Sequence, residues 1–212
     1  MILFVGLGNP TPDSKNNRHN IGFKIIDALN VKFCLSKQKP KFKGLLTMGN
    51  ILDKKVYAIK PLTFMNNSGA CVRELIEYFK IYPSDIIVFH DDLDIEFGKI
   101  KAKFGGSDAG HNGIASLDKF IGKHYSRVRI GIGKPEKIKV NDFVLGDFND
   151  EENVELDEIF KKIISSVDLF GVKLDFGSIF FNGLKLFSSL FFIFVEFDWS
   201  FLVNCLVVKT SI

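Results

Sequence analysis

The chain has 212 residues, 46% hydrophobic and 25% charged, with a formal net charge of +3. These proportions exclude a disordered or collagen-like chain and allow one sizeable core. Three scattered cysteines (Cys34, Cys71, Cys205), with no Cys-x-x-Cys and no Cys/His cluster, argue against a disulfide framework and a thiolate zinc site; they predict a reducing, cytoplasmic setting. The opening "MILFV" has no basic n-region and is too short for a signal core, so it reads as a first strand, with no secretion signal expected.

That first strand spans Ile2–Val5 and breaks at Gly6-Leu7-Gly8. The third glycine of a dinucleotide fingerprint would fall at position 11, which is Thr, and Pro10 and Pro12 prevent a helix from starting there. No Lys-Ser/Thr follows, so a P-loop is excluded as well. A strand-end turn presenting Asn9 is expected instead, because ligand groups in α/β sheets gather at strand C-termini. A helix is predicted over about Asn20–Leu29, with Ile21, Ile25, Ala28 and Leu29 on one face.

Strands follow at Leu45–Met48 and Val56–Lys60. Next comes a helix at Gly69–Lys80, entered through Asn67-Ser68 as caps. Strands at Ile86–Phe89 and Lys99–Phe104, a helix at Asn112–Ile121 and a strand at Arg127–Ile132 complete the alternation. A last helix over about Asp150–Val167 starts acidic and turns basic, as the helix dipole favours. The pattern predicts an α/β fold with three layers, in which helices flank a mixed, mostly parallel central sheet within a single domain.

Composition changes near residue 165. Residues 1–165 carry 25 Lys+Arg against 21 Asp+Glu, a balance of +4, whereas residues 166–212 carry 3 against 4. A mildly basic body is compatible with an anionic partner. The tail holds 10 of the 23 Phe, but its longest uncharged stretch is 10 residues, short of the roughly 18–20 a spanning helix needs. Within it "FVEFDWSF" alternates like a half-buried strand. The expectation is a catalytic domain at 1–165 and an atypical Phe-rich segment at 166–212 with no assigned role and no membrane partner.

Titratable and amide groups gather at the element ends. His19-Asn20 stands at a helix entrance. "IIVFHDDLD" ends a strand in His90-Asp91-Asp92-Leu93-Asp94. An aspartate beside an imidazole fixes its tautomer and raises its basicity, giving a general base for water without a nucleophilic Ser or Cys. Asn66 and Asn67 precede one helix, and His111-Asn112 another; a carboxamide both donates and accepts without titrating, which suits a peptide backbone. Plainer readings exist for each: a solvated histidine, an acidic turn or hard-cation site, and ordinary N-caps.

"VGLGNP…RHNIGF", "PLTFMNNSG", "FHDDLD", "GGSDAGHNG" and "RVRIGIGKP…DFVLGDF" occur in this order, and together they resemble the bacterial peptidyl-tRNA hydrolase family over about residues 1–165. The resemblance implies hydrolysis of the ester between a peptide and the terminal ribose of tRNA, with no metal and no other cofactor. It implies His19 as general base, Asp91 as the carboxylate that polarises it, and Asn9 as a residue distinguishing N-blocked from free aminoacyl esters. Asn66 and Asn112 would hold the peptide and the attacking water, beside Phe64 and the Ser14 position.

Lys101, Lys103 and Arg129 match family positions that face the tRNA, with the "KQKPKFK" run assisting. The partner implied is peptidyl-tRNA, met by a monomer. The chain departs from the family pattern at Thr11, Ser14 and Asn17; Ser14 stands where the family commonly has Tyr. Two other readings are an RNA-binding relative without hydrolysis and a metallohydrolase using His19, Asp91 and His111.

Overall fold

The computed structural model of the protein describes residues 1–172. Its strands are β1 (Ile2–Gly6), β2 (Lys39–Lys41), β3 (Gly44–Ile51), β4 (Lys54–Pro61), β5 (Ile86–Asp92), β6 (Ile100–Phe104) and β7 (Ser126–Gly131). They form one sheet in the order β2-β3-β4-β1-β5-β7-β6. The central pairings β4/β1, β1/β5 and β5/β7 are parallel, and the outer pairings β2/β3, β3/β4 and β7/β6 are antiparallel. The sheet is therefore mixed, with its parallel part at the centre.

The helices are α1 (Ile21–Lys32), α2 (Ser68–Phe79), α3 (Asn112–Ile121), α4 (Val140–Val144) and α5 (Asp150–Val172). Alternate residues of β1 supply two cores. Ile2 and Phe4 face Ile25 and Leu29 of α1 and Leu156, Ile159 and Ile163 of α5. Leu3 and Val5 face Val72 and Leu75 of α2 and Ile114 and Leu117 of α3. A strand buried on both faces reads as an unbroken apolar run, which is why "ILFV" carries no polar alternation.

The glycines of the first motif serve backbone packing. A Cβ on Gly6 would lie 2.2 Å from the Gly22 carbonyl oxygen, and one on Gly22 would lie 2.4 Å from the Leu7 nitrogen. Helix α1 thus rests on the backbone at the end of β1, and the residues just before it are held over the C-terminal edge of the sheet. No helix among the described residues is long and apolar enough to cross a membrane.

Several details differ from the sequence reading. The "KQKPKFK" run contains the edge strand β2, where Pro40 is tolerated. Phe42 and Lys43 turn into β3 with φ of 53° and 56°, the two left-handed positions of a tight hairpin. At the start of α2, Asn67 occupies the N-cap position without a side-chain cap bond, while Ser68 Oγ–H donates back to the Met65 carbonyl. Helix α4 is too short to leave a periodic signal. Helix α5 continues through residue 165, where the composition changes; residues 173–212, including "FVEFDWSF", lie outside the described residues.

Candidate active site

The C-terminal ends of β1, β4 and β5 meet at one edge of the sheet. His19 lies in a one-turn 3-10 helix (Arg18–Asn20) directly before α1, and Asp91 is the sixth residue of β5. His19 Nδ1 stands 2.9 Å from both Asp91 carboxylate oxygens. His111 Nε2 reaches Asp91 Oδ1 from the start of α3 at 3.1 Å. The His19 and His111 rings are 4.8 Å apart, centroid to centroid.

Burial opposes charging Asp91 and His19, but their opposite charges outweigh it. The Asp91 carboxyl is nearly inaccessible, which alone would raise its pKa; His19 and His111 together hold it far below the usual carboxylate range. Burial likewise disfavours protonated His19, yet attraction to Asp91 and the hydrogen bond between them leave its pKa raised above 6.5. With Asp91 ionised, His19 Nδ1 must carry the hydrogen that Asp91 accepts. Nε2 is left as the basic atom of the ring.

His19 lines a cleft of about 430 Å³ together with Asn9, Phe64, Met65, Asn66, Asn112, Asn141, Val144 and Leu145. Asn9 is fixed on three sides. The Asn20 carboxamide brackets its backbone, accepting from its N–H at 2.8 Å and donating to its carbonyl at 2.9 Å. The Asn9 Oδ1 accepts the Met65 N–H at 2.9 Å, so Nδ2 is the end of the amide that remains for a ligand. Asn112 begins α3, but the cap bonds come from His111 Nδ1, which accepts from the Gly113 and Ile114 N–H groups.

His19, Asp91 and His111 offer ligand atoms within 4.8 Å of one another. Their hydrogen bonding does not fit a metal centre. Because His111 Nδ1 accepts two backbone N–H groups, the hydrogen of the neutral ring sits on Nε2 and points at Asp91; the lone pair a cation would need is elsewhere. His90 is occupied differently again. Its Nδ1 lies 2.7 Å from the Asp91 carbonyl oxygen, and burial followed by the nearby His111 keeps its pKa well below the ordinary value.

The model of the family described as peptidyl-tRNA hydrolase matches residues 3–178. The chain belongs to the peptidyl-tRNA hydrolase family. It is 73% identical over 180 residues to the peptidyl-tRNA hydrolase of Pelagibacter ubique (strain HTCC1062), covering 84% of this chain and 97% of that one. Against the same enzyme of Bacillus subtilis (strain 168) the identity is 43% over 170 residues, covering 79% and 90%. The crystal structure of peptidyl-tRNA hydrolase from Acinetobacter baumannii superposes with a TM-score of 0.76 at 38% identity, covering 80% of this chain and 87% of that one.

Of the residues singled out by family resemblance, His19, Asn9, Phe64, Asn66 and Asn112 share the cleft, with Asp91 directly behind His19. Phe64 is 63% exposed. Ser14 is not among the lining residues. It is buried in a short turn, and its hydroxyl is 2.6 Å from that of Thr11; a side chain this short does not extend from the turn as a Tyr would.

Lys101, Lys103 and Arg129 also lie outside the cleft lining. The β6/β7 register sets Lys101 opposite Arg129 and Lys103 opposite Arg127, which puts the four cations on one face of the sheet. Arg127 is buried and occupied internally, with its guanidinium on the Gly106 and Ser107 carbonyls and on Asp118. It braces the loop that leads to His111 and Asn112.

Several contributors to the site go beyond the sequence reading. Of the two readings of His111, cap and metal ligand, the structure bears out the N-cap of α3, and it adds a second donor to Asp91. Asn20 follows His19 directly, but nothing in its spacing reveals that it brackets Asn9. Asn141, Val144 and Leu145 come from or beside the five-residue α4, which Arg18 ties down. The Arg18 guanidinium donates to both Glu152 oxygens at 2.9 and 2.7 Å and stacks 4.5 Å from the Phe143 ring centroid.

Proposed function

We propose that the chain hydrolyses the ester bond between peptide and tRNA in peptidyl-tRNA, releasing free tRNA and an N-blocked peptide, with His19 as the general base. The observation that carries this reading is the symmetric placement of Asp91 behind His19 Nδ1, which turns Nε2 into the basic atom in a residue lining the cleft. A water held at Nε2 attacks the ester carbonyl as the imidazole takes its proton. The imidazolium, stabilised by Asp91, then returns the proton to the departing ribose oxygen. The products are a ribose hydroxyl and a peptide carboxylic acid, which keeps the water's second proton and then releases it to solvent to become the carboxylate; the imidazole is neutral again.

The carboxamides supply the rest. Asn9 Nδ2 and the amides of Asn66 and Asn112 are the donors for the peptide main chain and for the negative charge that develops on the carbonyl oxygen. Recognition through main-chain atoms does not depend on the peptide's side chains, which suits a substrate carrying any sequence. The exposed Phe64 ring offers an apolar face at the cleft. In this reading Lys101, Lys103 and Arg129 hold tRNA phosphates, which position the ester without reading sequence. The enzyme acts as a monomer in the cytoplasm, where peptidyl-tRNA arises, and residues 1–165 carry the chemistry.

The test is hydrolysis of an N-acetylated aminoacyl-tRNA and of its unblocked counterpart, both with EDTA present. Turnover of the first alone is expected. Equal hydrolysis of both, or loss of activity on chelation, overturns the proposal.

A further inference from the structure

Asp92 follows the Asp91 of the His19 pair, yet it faces the other way. Adjacent strand residues point to opposite faces, and the β5/β7 register sets His90 beside Arg129. Asp92, two residues on from His90, therefore shares a face with Arg129, Lys101 and Lys103. Its Oδ2 accepts Arg129 Nε–H at 2.7 Å, and its Oδ1 accepts the Asp94 N–H at 2.9 Å. Both oxygens are thus fixed. The Asp92 side chain is 7% exposed and that of Arg129 is 23% exposed, so the pair is rooted at the carboxylate and open at the guanidinium.

We propose that Asp92 is a positioning residue for the tRNA: it holds Arg129 by Nε so that the Nη groups meet a substrate phosphate. This rests on the reading of Arg129 as an RNA contact. An unanchored arginine would lose rotamer freedom on binding, whereas one already fixed loses less. The planar guanidinium has five N–H donors, and occupying Nε leaves the Nη edge for a phosphate in a set orientation. The same carboxylate has the opposite effect once Arg129 is gone, because it then stands unneutralised on a face meant for phosphates and repels them. Removing Asp92 should therefore harm binding when Arg129 is present and help when it is absent.

The test is a double-mutant cycle in the full-length protein, reading Kd for uncharged tRNA together with kcat and KM for an N-acetylaminoacyl-tRNA. D92A should weaken tRNA binding about three- to ten-fold, with the effect on KM and not on kcat. R129A should weaken it more and lower the salt slope by about one. The double variant D92A/R129A should bind more tightly than R129A.

D92N removes the charge while filling the same volume, and its single amide oxygen can still accept from Nε–H or from the Asp94 N–H but not from both; it too should improve binding in the R129A background, and it carries the cycle if D92A fails to fold. If R129A leaves Kd and slope unchanged, Arg129 is not an RNA contact and the underlying reading fails. If R129A weakens binding but removing the Asp92 charge is additive or neutral with it, the positioning role is overturned.

Discussion

His19 Nδ1 sits at the same distance, 2.9 Å, from both oxygens of the Asp91 carboxylate. Asp91 is simultaneously a partner of His111 through Oδ1, so its negative charge faces two imidazoles. This fixes the His19 tautomer, and it makes the basicity of one ring depend on the ionisation of one buried carboxylate.

Replacing His19 by Ala removes the group that takes the proton from water. We expect kcat for N-acetylaminoacyl-tRNA to fall on the order of 10²–10⁴-fold, with Kd for uncharged tRNA nearly unchanged. A loss of only a few-fold counts against the assignment.

Gly22→Ala tests how the fold places His19. The added methyl would lie 2.4 Å from the Leu7 nitrogen and 2.5 Å from the Phe89 carbonyl oxygen, both backbone atoms that cannot rotate aside. Helix α1 must shift, at a cost of about 1–3 kcal/mol, read as a lower denaturation midpoint. An unchanged midpoint would show that the helix has slack the packing does not suggest.

Glu152→Gln tests the wall of the cleft. Glu152 and Asn149 cap α5 reciprocally, each backbone N–H meeting the other's side chain at 2.8 Å. Glu152 also pairs with Arg18, which is adjacent to His19 and stacked against Phe143. Gln keeps an acceptor for the cap but leaves the partly buried guanidinium without its counter-charge. A stability loss of about 1–3 kcal/mol is expected, with KM for the peptidyl ester raised through Val144 and Leu145. No change in either would detach this ion pair from the cleft.

The fold was legible where local chemistry decides it. The bounds of α3 and the positions of β1, β4 and β5 follow from apolar runs and periodic faces. Edge strand β2 and helix α4 were not legible, because three exposed residues around Pro40 and a five-residue turn of helix carry no period. The site divides in the same way. His19, Asp91, Asn66 and Asn112 stand out through motifs at element ends, whereas the roles of Asn20, Arg18 and Asp92 depend on partners 11, 134 and 37 residues away. Sequence separation of that kind leaves no pattern in a single chain.

The most direct measurement is the pH dependence of kcat/KM for N-acetylaminoacyl-tRNA in the native protein and in Asp91→Asn. The base works as neutral imidazole, so activity should rise with pH through the His19 pKa, and that acid limb should lie above 6.5 because the folded value is raised. Removing the carboxylate removes the attraction that raises it, so in Asp91→Asn the limb should move to lower pH while the plateau drops. A limb that stays in place when Asp91 loses its charge would contradict the pairing of these two residues as the source of catalysis.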